Sequence, residues 1–78
     1  MPAAYCDVDT HLITIVGEGI VDYYDVEIIS LSTLNTVIST QVDGYYDTVD
    51  ISTLSDSDFK IIIESPTGNI FEGFFCNY

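Results

Sequence analysis

Basic residues are almost absent from this chain. Lys60 stands alone against 13 aspartates and glutamates, a formal charge of −12 carried by 78 residues. Phosphate backbones and anionic lipid are bound by Lys and Arg that displace counterions, so nucleic acid and charged membrane surfaces are excluded as partners. No apolar run nears the roughly 20 residues of a membrane span, and no insertion is expected. The N-terminus has neither a basic region nor an apolar core, so it does not read as a signal peptide. Histidine occurs once, at His11, with no nucleophile marked beside it, and catalysis is not expected. Helical periodicity is missing over any useful length.

What remains is apolar and β-forming. Hydrophobic residues make up 47% of the sequence, too many for a disordered chain despite the acids. The length allows one domain, 1–78, with one small core. The clearest signal is a C-terminal hairpin, Phe59–Ser65 and Asn69–Phe75, joined by Pro66-Thr67-Gly68. Proline presets one turn dihedral and Gly68 supplies the left-handed residue that closes a three-residue loop. Ser65 then faces Asn69, which places Ile63 opposite Phe71, Ile61 opposite Gly73 and Phe59 opposite Phe75 on one apolar face. The other face alternates Lys60, Ile62 and Glu64 with Phe74, Glu72 and Ile70.

Upstream, residues 1–9 read as an extended lead-in, with an edge strand around Tyr5–Val8. His11–Val16 is a firm β-branched strand ended by Gly17-Glu18-Gly19, and a corner is expected at Asp22–Asp25. Val26–Leu31 pairs with Val37–Val42 so that Val26 faces Val42, and Asn35 takes the left-handed position of their loop. Both faces of that pair are apolar, so pattern alone leaves its core side open. Asp43–Asp47 reads as a turn, Thr48–Ile51 as a short strand and Ser52–Asp58 as a polar crossover holding one short turn. The motif around Tyr23-Tyr24 is echoed around Tyr45-Tyr46; two copies are too few for a solenoid. Six or seven antiparallel strands at this spacing predict an all-β, immunoglobulin-like β-sandwich.

The stretches Asp50-Ile51-Ser52-Thr53-Leu54, Phe59–Glu64 and Thr67–Phe75 resemble the closing half of small secreted immunoglobulin-like β-sandwiches of gut anaerobes, a family of unknown function. They are also similar, more distantly, to the C-terminal sorting domains of type IX secretion substrates. The resemblance begins near Asp25 and implies a secreted or envelope location without catalysis. Two departures stand out: Asp58 replaces a glycine, and Cys76-Asn77-Tyr78 replaces the basic end of sorting domains. Without a signal peptide, either the protein stays inside the cell or the chain is a mature or trimmed one; abundant Tyr, Thr, Ser and Asp with almost no Lys or Arg favour the second.

Four candidate sites follow. Tyr23, Tyr24, Tyr45 and Tyr46, flanked by Asp25 and Asp47, could stack on a sugar ring while carboxylates accept its hydroxyls; the alternative is that such tyrosines plug an end of the sandwich. Asp7 with Asp9, Asp56 with Asp58, and Asp43, Asp47 with Asp50 are partial calcium sets. None has loop-site spacing, and solvated acidic loops are expected, with no metal or other cofactor. Cys6 and Cys76 lie at opposite ends; a disulfide joins them if the termini run side by side, and otherwise they are two thiols. Finally, Ile62, Ile70 and Phe74 make the outer face of the terminal hairpin apolar. Self-association or a protein partner is expected there, with Phe74 as anchor, unless Tyr5–Val8 folds over it.

Overall fold

In the computed structural model, residues 2–55 and 57–76 are described. The terminal hairpin takes the register set by its turn: Phe59, Ile61 and Ile63 face Phe75, Gly73 and Phe71. Gly68 has φ 92°, and Ser65 donates its N–H to the Asn69 carbonyl at 2.9 Å. The Ser65 hydroxyl also accepts the Asn69 N–H at 3.1 Å. The buried polar side chain is thereby satisfied inside its own loop.

Seven strands are present among the described residues: β1 (Ala3–Asp7), β2 (Leu12–Val16), β3 (Tyr23–Ser30), β4 (Thr36–Asp43), β5 (Tyr46–Asp50), β6 (Asp58–Glu64) and β7 (Ile70–Cys76). They form two antiparallel sheets, ordered β1-β2-β5 and β4-β3-β6-β7. Alternation along the strands sends Ile13 and Ile15 from the first sheet, and Val26, Ile28, Phe59, Ile61 and Ile63 from the second, into a shared core. The open question about β3 is thus answered: Val26, Ile28 and Ser30 face inward, while Ile29 lies half-buried on the outer face.

The β3–β4 pair departs from the expected register. Val26 faces Thr40 and Ile28 faces Ile38, a shift of two, with a bulge between Ile28 and Ile29. The loop is Leu31–Leu34, closed by Ser30 N–H to Asn35 O at 3.0 Å and Leu34 N–H to Ser30 O at 2.8 Å. Leu34, with φ 61°, takes the left-handed position expected of Asn35. Up to the bulge the shift is even, so Tyr24, Val26, Ile28 and Val42 keep the inward face and that part of the core is unchanged. The β1–β2 loop repeats the device: His11, with φ 55°, closes it, and the Asp7 carboxylate accepts the N–H groups of Asp9 at 2.9 Å and Thr10 at 3.4 Å.

Two stretches expected as turns are strand instead. Tyr23–Asp25 opens β3 and Tyr46-Asp47 opens β5. The cause lies at the end of the sandwich where the backbone of 17–19 meets that of 44–45. Gly17 donates to the Tyr45 carbonyl at 2.9 Å, and Gly44 donates to that of Asp22 at 3.0 Å. A Cβ on Gly44 would collide with the Val21 carbonyl, and one on Gly17 with the Gly44 carbonyl. This close approach lets pairing run to the strand tips and seats the Tyr24 ring beneath Gly17. The crossover after β5 has its single turn, Leu54 N–H to Ile51 O at 3.1 Å.

Candidate functional site

The sandwich is open along one flank. β1 ends one sheet and β7 ends the other, and between them runs a cleft of about 350 Å³ floored by Ile13, Ile61 and Ile63 and walled by Ala4, Phe71 and Phe75. Phe71 and Phe75 are only half-buried as a result, short of the full burial that the hairpin pattern predicts. Gly73 sits between them, and a Cβ there would meet Ile61 Cγ2 at an ordinary 3.5 Å. Gly73 is therefore not required by Ile61.

β7 is also an edge in the hydrogen-bonding sense. Ser65 and Asn69 form a hydrogen-bonded pair, so antiparallel alternation turns the N–H and C=O groups of Ile70, Glu72, Phe74 and Cys76 away from β6. Their side chains lie on the outer face, where Phe74 is 71% and Ile70 59% exposed and Ile62 is half-buried. The alternative, cover by Tyr5–Val8, is not what the fold does: β1 pairs with β2 in the opposite sheet. Asp25, Glu27, Glu64 and Glu72 share the outer face with Lys60, whose ammonium is 3.4 Å from Glu72. The face is apolar at its edge and acidic behind it.

The tyrosines are not gathered into one platform. Tyr24 is 5% exposed and belongs to the core, because it alternates in register with Val26. Tyr23 is half-buried on the opposite face, and Tyr45 and Tyr46 are exposed, with the Tyr45 ring lying against Gly19. The aspartates nearby are occupied by backbone. Asp43 accepts the N–H groups of Tyr45 at 2.7 Å and Tyr46 at 3.3 Å, and Asp47 accepts those of Asp43 at 2.9 Å and Thr48 at 2.8 Å. Asp25 stands apart on β3, opposite Gln41 and Glu64.

Among the described residues no three His, Cys, Asp or Glu side chains converge as a metal site; Asp56 lies outside those residues. Asp50 accepts the Ser52 N–H at 2.8 Å. That bond, then one from the Ser52 side chain and last the nearby His11, hold its carboxyl below the ordinary aspartate range. Cys6 and Cys76 are free thiols, yet the two ends do meet: Cys6 Sγ is 3.9 Å from the Cys76 carbonyl oxygen. The Cys76 thiol donates to Asp58 Oδ1 at 3.3 Å. Burial, then the neighbouring Asp7, push the Cys6 thiol above its usual pKa.

Sequence reasoning finds the apolar outer face through strand alternation. It misses the cleft, which exists only because β1 and β7 join different sheets and so face each other across the flank.

No family model matches the chain, and no curated protein does. Among solved structures it is similar to a DUF3244 family protein with an immunoglobulin-like β-sandwich fold from Bacteroides vulgatus. The TM-score is 0.79 at 13% identity, over 100% of this chain and 95% of the other. Nothing in that likeness extends to sorting domains. With seven antiparallel strands in two facing sheets, the chain has the immunoglobulin-like β-sandwich fold.

Proposed function

We propose that this chain is a non-catalytic interaction module, acting outside the cell or in its envelope, that binds an extended basic segment of another protein along β7. The observation that carries the reading is the outward row of backbone groups at Ile70, Glu72 and Phe74 beside an exposed Phe74. A strand added there gains main-chain hydrogen bonds, and alternate side chains reach either the cleft or the outer face. Charge selects the occupant. On the outer face Glu72 stands on β7 itself, with Glu64 one strand behind and Asp25 and Glu27 on β3 beyond, so Lys or Arg on the added strand meets Glu72 directly and the other carboxylates as a longer-range field. A second copy would bring another −12 to the same place. The likeness to the DUF3244 family protein agrees with membership of that family, and the near absence of Lys and Arg among abundant Tyr, Thr, Ser and Asp favours the compartment.

The test uses the full chain and an alternating Lys–Val nonapeptide, with an alternating Glu–Val nonapeptide as control. The basic peptide is expected to shift the amide resonances of 70–76, with affinity falling as salt rises, and Phe74→Ser is expected to weaken it roughly tenfold. Equal binding of both peptides, or shifts centred on Tyr45 and Tyr46, would overturn the reading. Concentration-dependent sedimentation of the free chain, abolished by Phe74→Glu, would replace the foreign strand with a second copy.

A further inference from the structure

We infer that Cys6 and Cys76 close into an intramolecular disulfide in an oxidising compartment, stapling the two sheets across their open flank. This inference stands apart from the reading of β7 as a binding edge. The chain has two cysteines, 70 positions apart in sequence, and the fold brings one to each strand that borders the cleft. Cys6 points inward and packs against the core; its sulfur lies 3.9 Å from the Cys76 carbonyl oxygen. Cys76 now turns its sulfur outward to Asp58.

Two features make the reversal inexpensive. Cys76 faces Asp58 at a position where antiparallel alternation leaves its N–H and C=O unbonded to β6. The contacts given up are weak sulfur ones, from its exposed thiol to the Asp58 carboxylate and from the Cys6 thiol to its carbonyl. Rotation of this strand-end residue therefore carries its sulfur toward Cys6 without breaking the ladder. The oxidant is a low-molecular-weight disulfide or the disulfide of an oxidoreductase. The exposed Cys76 thiolate attacks it, forming a mixed disulfide and expelling one thiolate. The Cys6 thiolate then attacks the Cys76 sulfur and expels the second. The chain loses two protons and two electrons, and the oxidant leaves as two thiols.

The full chain is incubated under native conditions with oxidised glutathione, and a second sample is kept in a phosphine reductant. The oxidised monomer is expected to be lighter by two hydrogens and to give a peptic peptide joining Cys6 to Cys76. Its Tm is expected to exceed that of the reduced chain by roughly 25 °C, as closing so long a loop implies. Cys6→Ser and Cys76→Ser should each abolish both effects and melt like the reduced wild type. Persistent glutathione adducts, disulfide-linked dimers, or an intramolecular bond that leaves the Tm unchanged or lower would overturn the inference.

Discussion

The ring of Phe75 lies over that of Phe59, their centroids 5.2 Å apart and their planes inclined by 21°. One partner is fully buried and the other sits at the mouth of the cleft, half-buried. Removing the buried ring opens a closed cavity, whereas removing the outer one only widens a cleft already open. Phe59→Ala should therefore destabilise by roughly 3–5 kcal/mol and Phe75→Ala by about half as much. Urea unfolding midpoints measure both, and the reverse ranking would refute the edge position of β7.

Leu34 is a bulky residue in the left-handed region, 76% exposed, closing a loop that glycine or asparagine would close without strain. Leu34→Asn and Leu34→Gly should each stabilise by about 0.5–1 kcal/mol, and Leu34→Val should destabilise. Thermal melts of the three variants check this. No gain from either polar or glycine replacement would mean that the loop is not strained.

The difference between the two large hairpins explains what can be read from this sequence. Pro66 fixes one turn dihedral and Gly68 admits the left-handed one, both visible in their names, so the β6–β7 register follows. The β3–β4 loop has no such residue, and a leucine adopts the strained position because the bulge after Ile28 and the flanking bonds of Ser30 demand it. Tyr23–Asp25 and Tyr46-Asp47 look like corners locally and become strand through the Gly17–Gly44 approach, a contact between distant segments. Phe74 and Ile70 are legible as outward residues; the cleft beside them is not, since it depends on which sheet each terminal strand joins.

Acid should reveal Asp50. Its native carboxyl lies below the ordinary value, first because it accepts the Ser52 N–H. The ionised form thus favours the folded state at pH above about 4, and that contribution is lost as the pH falls through the depressed native value. Asp50→Ala should be less stable than wild type at pH 7, with the gap closing toward pH 2. Chemical denaturation across that range reads it directly. A gap independent of pH would assign the effect to the side chain's shape instead of its charge.

Salt should act in the opposite sense from its usual effect on an ion-paired protein. With −12 on so small a body and an exposed Lys60–Glu72 pair as its described salt bridge, screening relieves more repulsion than attraction. The Tm should rise between low and moderate sodium chloride. A flat or falling Tm would contradict this, and a rise specific to calcium at matched ionic strength would locate a metal site.

The solitary Lys60 has a further consequence. It lies midway along β6, between Ile29 of β3 and Phe74 of β7. A protease that cuts only after basic residues finds one scissile bond in the whole chain, inside a paired strand. That bond can be reached only when the second sheet comes apart, so cleavage by trypsin reports opening of the fold, not fraying of a loop. The molecule carries its own stopwatch for unfolding, read as the disappearance of a single band.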